Sequence, residues 1–436
     1  METHECSSKH ASLVLIARRF EAMQVWPRIC EAVTIPQKVL QHTPRDKLLD
    51  CFVTMLMGGR GLVEINTRLR CDVAVQRAFG RSSCADQSTV SETLDVCTMT
   101  QVIQLRRGIE HLLRQYSLAV QQPPHPWRVL DVDMLGLPAG RRGEGVTKGY
   151  FSGGRDQYGR QLGRVLATAS DEILVERLYL GTRQLEQSLI ELVLATEDLL
   201  GLREDQRENT VFRVDAGGGT DANINQVLGR GYHLLTKAHS WQRGERLARS
   251  VCEWQHDPKT GQREVGWVTQ PQPYGRDTRQ LIVRTVTPQG RVRHRVLIST
   301  LSDAQLCAAF GLAVPVGTPW PLLYAYDLRG GGLETQNRCD RQGLGLGRRN
   351  KHRFAAQELL VLLGQVGHDF VIWMRNDLAR VDVRFAAYGL KRMVRDVLAI
   401  DGQVWLDSHG VVVDVQLNAN HPLAAAVTAA FNQPYV

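Results

Sequence analysis

Three acidic groups in this 436-residue chain stand where their types and spacing could do chemistry. The first is Asp131-Val132-Asp133, inside an apolar run over 127–135 that reads as a strand. Residues two apart on a strand share a face. Two carboxylates on a buried face need a counter-charge, and a divalent cation would supply one. The plainer alternative is that one of them caps a turn. Asp133 is preferred for the site, with Asp131 as its substitute. The second group is Asp215, at the end of the strand-like run 210–214 and just before Gly217-Gly218-Gly219. A carboxylate there lies at the carboxyl edge of an α/β sheet, where ligands usually bind. The rivals are a phosphate-cradling loop, which lacks the closing Gly-Lys-Ser/Thr, and a plain glycine turn. The third is Glu334, in a stretch that also holds Tyr326, Arg329, Arg338 and Arg341. Such a mixture is either a solvated salt-bridged face or a carboxylate on a metal with arginines on phosphates.

The elements that must position these residues can be read from the pattern. Residues 1–120 read mostly as helix, with Asp86 or Ser88 as a candidate cap for one of the helices. A proline-rich linker over 121–126 separates them from the strand-rich middle of the chain. Strands are expected at 127–135, 163–169, 173–180, 210–214 and 232–236, with helices at 182–200 and 220–228. Turn signals and β-branched runs over 240–315 predict an antiparallel β insertion. The stretch 316–380 returns to the core, first through 321–326, with a strong helix over 353–378. The remaining 381–436 end in a hairpin of 404–406 and 411–415. The predicted class is α/β, an RNase H-like mixed sheet interrupted by the insertion and preceded by a helical N-terminal lobe, which is either a DNA-binding unit or a plain helical lobe. An Asp on the first strand, an Asp ending a later one and a Glu on a later helix is the order that lets three carboxylates hold two divalent metals.

Composition narrows the classes further. Hydrophobic residues make up 43% and charged residues 22%, which excludes a disordered or collagen-like chain. The net charge of +8 is carried mostly by arginine, whose planar fork suits phosphate. No Cys-x-x-Cys pair occurs among the nine cysteines, so a zinc ribbon or disulfide scaffold is not expected. No apolar run approaches a membrane span, and no signal peptide is expected. His4, Cys6 and His10 are read as part of a floppy terminus rather than a metal site. His239, Trp241, Trp254 and Trp267 are read as structural.

Taken together, the motifs resemble the DDE transposases of bacterial insertion sequences, in the branch marked by Tyr-x-x-Arg-x-x-x-Glu-x-x-x-x-x-x-Lys. Asp133-Met134-Leu135 matches the first position, with Leu where Thr is usual. Asp215 matches the second. Tyr326, Arg329 and Glu334 match the signature with one extra residue before Glu334, and Arg341 stands at the Lys spacing. The resemblance implies that Asp133, Asp215 and Glu334 are catalytic and hold Mg²⁺, with Mn²⁺ able to substitute. It implies that Tyr326, Arg329, Arg338 and Arg341 bind DNA. The implied partners are the element's inverted repeats and a target, both double-stranded DNA, and a second copy of the chain in a homodimer. The implied place is the bacterial cytoplasm beside the nucleoid. A nuclease without strand transfer and a catalytically decayed DNA-binding protein are the rival readings.

Overall fold

The computed structural model describes residues 3–39, 41–122, 126–151 and 154–431, so Pro123, Pro124 and His125 of the expected linker lie outside the described residues. The described strands are β1 (Thr3–Ser8), β2 (Arg128–Pro138), β3 (Thr147–Phe151), β4 (Gly154–Ala167), β5 (Glu172–Tyr179), β6 (Thr210–Val214), β7 (His233–Lys237), β8 (Gln255–His256), β9 (Arg263–Trp267), β10 (Arg279–Val286), β11 (Val292–Ser299), β12 (Gly402–Asp407) and β13 (Val412–Leu417). The chain divides into two units. One comprises Met1–Ser117, Leu137–Arg160 and Gln336–Val436; the other comprises Leu118–Gly136 and Gln161–Thr335. The expected lobe over 1–120 is thus grouped with much of the C-terminal third.

The first unit is mainly helical. Helix Pro44–Leu56 opens with proline in its first turn and a reciprocal cap between Thr43 and Asp46. Helix Met99–Tyr116 is capped by Thr98 and Gln101 in the same way, and Asp86 rather than Ser88 caps helix Gln87–Asp95. Phe20 meets Phe52, Phe79 and Phe370 at ring distances of 5.6, 5.1 and 5.4 Å, which ties three helices and the loop-side Phe79 into one core. The predicted C-terminal hairpin is present as β12–β13. The N-terminus corrects its expectation, because β1 pairs antiparallel with β12 from Thr3↔Asp407 to Ser8↔Gly402. Backbone hydrogen bonding, which needs no apolar side chains, orders that polar segment. His10 is buried, and its Nδ1 lies 3.0 Å from the Leu398 carbonyl.

The second unit is mixed α/β. The strands β4, β2, β6, β7, β11, β10, β9 and β8 lie in that order, and β5 pairs with the second half of β4. β2, β6 and β7 are parallel; β4–β5 and β7–β11–β10–β9–β8 are antiparallel. The strands expected as an insertion therefore continue the main sheet, with β11 paired to β7 through Leu297↔Lys237. Residues 321–326 return to the core as part of helix Trp320–Gly331, opened by proline, and within the stretch expected to be β-rich Trp241–Ala248 is a helix capped by Ser240. Tyr324, Leu322, Leu323 and Ala325 bury against Val211, Leu235, Leu281 and Leu297, so this helix covers the centre of the sheet.

Candidate active site

The register of the parallel pair β2–β6 sets the geometry. Asp131 stands beside Arg213 and Val132 beside Val214. The next residues are Asp133, still within β2 and on the same face as Asp131, and Asp215, the first residue past the end of β6. Asp215 begins the glycine turn. Its Oδ1 accepts the Gly217 amide at 2.8 Å, and its carbonyl accepts the Gly218 amide at 3.2 Å. Gly219 is required by a close approach, since a Cβ there would lie 1.8 Å from the Lys237 carbonyl. Thr220 then caps helix Asp221–Gly229. This turn holds Asp215 at the carboxyl ends of the parallel strands.

Helix Trp320–Gly331 brings Tyr326, Asp327 and Arg329 to the same edge. It stops at Gly332 (φ −86°, ψ −110°), and a new helix, Leu333–Gly343, starts with Glu334 in its first turn. The Thr335 hydroxyl donates to the Gly330 carbonyl at 3.0 Å, and Leu333 packs on Leu166 and Ile173. A methyl group at Gly332 would stand 3.1 Å from Asp131 Oδ2. Arg338 and Arg341 come later on the same helix and belong to the first unit; Arg338 is exposed and Arg341 half-buried.

The two aspartates of β2 meet different arginines. Asp131 and Arg213 are both fully buried, and Arg213 donates to both Asp131 oxygens at 2.6 and 2.7 Å. Its third nitrogen, Nη1, donates to the Ala325 carbonyl at 2.7 Å, which pins the covering helix to the sheet. Asp133 keeps 16% of its side chain exposed and lies 2.7 Å from Arg329 Nη2. Arg329 Nη1 also donates to Glu334 at 3.1 Å, and Glu334 is 57% exposed. Arg329 is itself 6% exposed, and its Nε is a buried donor without a hydrogen-bond partner.

Burial pushes the Asp133 carboxyl up to about 6; Arg329 opposes the rise and Asp215 adds to it. Burial works against the Arg329 charge, but Asp133, Tyr326, Asp215 and Asp131 together outweigh it and raise the pKa of the guanidinium. Burial also raises the Tyr326 phenol. Lys237 Nζ stands 4.5 Å over the Tyr326 ring, and burial lowers its ammonium pKa.

These groups border a cleft of about 600 Å³, lined by Asp215, Lys237, His239, Arg295, Tyr326, Asp327, Arg329 and Glu334 among others. Asp133 does not line it and meets it through Arg329. Asp327 is claimed by Arg263, which also pairs with Asp257. Three groups that matter here escaped the sequence reading. Arg213 is a charge in the middle of the apolar run Val-Phe-Arg-Val, and that position was the available signal. Lys237 and Arg295 end up at the cleft only through the β7–β11 pairing, which nothing local announces. Trp241 is 60% exposed, whereas Trp254 and Trp267 lie under Arg284 and Arg279 at 4.0 and 4.3 Å.

In donor chemistry the set fits a hard divalent cation, because three carboxylates gather around one sheet edge. Among the described residues, however, no group of three His, Cys, Asp or Glu side chains is assembled that could hold a metal ion. Arg329 is the counter-charge to two of the three carboxylates in this arrangement. Among the described residues, no helix is long and apolar enough to cross a membrane.

No protein-family model matches the chain, and no curated protein is similar to it in sequence. Among solved structures it is similar to the piggyBac transposase synaptic complex with hairpin DNA, at 11% identity and a TM-score of 0.48, over 91% of this chain and 82% of that one.

Proposed function

We propose that this chain is a DDE-type transposase with an RNase H-like core, which cuts double-stranded DNA at the ends of a mobile element and transfers the freed strand. The reading is supported by the β2–β6 register, which ends at Val132↔Val214 just before Asp133 and Asp215, and by Arg329, which links Asp133 to Glu334. The insertion-sequence branch rests on the signature residues of the sequence. Asp133, Asp215 and Glu334 would hold Mg²⁺ or Mn²⁺, which when bound supplies Lewis-acid polarisation of a phosphodiester and a more acidic water.

The chain's own residues then have distinct tasks. Arg329 presents a buried, unmet Nε donor that suits a phosphate oxygen. Lys237 adds a second cation, held in place by the Tyr326 ring. Tyr326, which lines the cleft, would contact the DNA beside them. Arg338 and Arg341 would also bind DNA. Two element ends must be held at once, so the working form would be a homodimer, in the cytoplasm beside the nucleoid.

Cleavage of DNA carrying the flanking inverted repeats, with Mg²⁺ or Mn²⁺, tests this directly. Cuts at the repeat ends that vanish in Glu334→Ala support it. Products joined to a second duplex separate a transposase from a plain nuclease. Specific binding without cutting, in either metal, would instead favour a decayed site in which Arg329 permanently neutralises its carboxylates; the Arg329 pairs are the observation behind that second reading.

A further inference from the structure

Strand β11 is charge-balanced on one face and not on the other. On one face His294 Nδ1 lies 3.0 Å from Glu245, and its cross-strand neighbour Arg284 pairs with Glu264. On the other face stand Arg293 and Arg295, with Arg291 in the turn just before the strand, and all three are exposed. None of the three side chains has a hydrogen bond or ion pair to a described residue. Pairing is the common pattern elsewhere in this unit, as in Arg213–Asp131, Arg243–Asp221, Arg263–Asp257 and Arg279–Asp303. The cross-strand partners of Arg293 and Arg295 are Thr285 and Val283, neither acidic. The nearby carboxylate Asp327 is already held by Arg263.

Three like charges in a row repel one another and stabilise nothing in the isolated chain. Alternate residues of a strand are about 6.7 Å apart, close to the axial rise of two nucleotides in one DNA strand, roughly 3.4 Å each. The row also has a direction. Arg295 lines the cleft that holds Asp215 and Glu334, and Leu297, two residues further on, pairs with Lys237, which lines the same cleft.

We propose that the face of β11 bearing Arg291, Arg293 and Arg295 is a track for the sugar–phosphate backbone of duplex DNA, leading it to the cleft. The track rests on the DNA-cutting reading of that cleft. Each arginine contacts one phosphate, without reading bases, and binding releases the counterions those phosphates held.

The test is fluorescence anisotropy of the full chain with a labelled duplex of arbitrary sequence, from low to moderate salt. In Arg291→Gln/Arg293→Gln/Arg295→Gln the slope of log affinity against log salt should fall by about 3, and by about 1 in Arg293→Gln alone. Arg293→Lys should keep most of the slope, because the charge remains. Arg203→Gln, at an exposed arginine already paired with Asp205, should leave it unchanged. The single Arg293→Gln variant decides the matter if the triple variant fails to fold. An unchanged slope in Arg293→Gln and in any folded triple variant, while the wild type binds, overturns the track and leaves the cutting reading standing. A slope loss seen only on duplex RNA also overturns it. A slope loss on DNA in a protein that never cuts keeps the track and removes the cutting reading. No binding of the wild type to duplex DNA at any salt removes both.

Discussion

Asp131 and Asp133 share one face of β2, and each meets an arginine, yet their surroundings assign them different work. The inner pair is closed: Asp131 and Arg213 are fully buried, joined by two hydrogen bonds, and the remaining Arg213 donor is spent on the Ala325 carbonyl. The outer pair is open: Asp133 is partly exposed, and Arg329 divides itself between Asp133 and Glu334 with its Nε unmet. A closed pair holds two elements together and has nothing left to offer a ligand. An open pair stabilises less and keeps donors and acceptors for something that arrives. Two residues of strand, roughly 6.7 Å, separate a structural clamp from a candidate reactive group.

The contrast is most vulnerable from the inner side. Arg213→Ala leaves the Asp131 carboxylate buried without a partner, which should cost about 3–5 kcal/mol. Urea unfolding would show it as a lowered midpoint, and an unchanged midpoint would contradict the clamp. Arg213→Lys should recover only part of the loss, because one ammonium cannot reproduce the fork. Next in size is Gly219→Ala. The added methyl meets the Lys237 carbonyl, so the turn that holds Asp215 must shift, at roughly 3 kcal/mol. Proposed cleavage should fall with it, since Asp215 and Lys237 move together.

Acid separates the contributions further, because a third titratable group in the same sheet loses stability in its own window. His233 on β7 is 8% exposed, packs edge-on against Trp127 and has its pKa lowered to about 4, by burial first and the Arg276 charge second. Its folded pKa lies below the unfolded value of 6.5, so its contribution is fully present above pH 6.5 and is lost as pH falls towards 4. The loss should approach about 3 kcal/mol at most. Stability measured over that range should flatten in His233→Gln. The smallest effect belongs to the outer pair. Glu334→Gln, at an exposed ion pair, should change stability by less than about 0.5 kcal/mol. A larger drop would mean that Glu334 is a structural partner of Arg329.

Much of this arrangement was legible in the residues. The apolar run of β2, the glycines after Asp215 and the apolar spacing of Leu185–Leu200 are local signals, and each element forms close to where it is expected. The signals that failed were long-range. Arg213 and Asp131 are 82 positions apart, and only strand pairing makes them neighbours. β1 is a polar segment whose order comes from β12, nearly 400 residues later, so no hydrophobic pattern could reveal it. The helix beginning at Trp320 was obscured because Pro321 reads as a breaker unless it is placed in a first turn. The cations at the cleft have the same cause, since Lys237 and Arg295 meet the site only after β7 and β11 pair.

The decisive measurement pairs the two aspartates in one experiment. Asp131→Asn and Asp133→Asn would each be melted and then assayed for Mg²⁺-dependent cutting of DNA with the flanking repeats, at a temperature where both are folded. Asp131→Asn should melt well below the wild type yet still cut once folded. Asp133→Asn should melt near the wild type and lose cutting by about a thousand-fold or more, roughly 4 kcal/mol in the barrier. Cutting by Asp133→Asn at the wild-type rate would contradict its assignment as the reactive carboxylate.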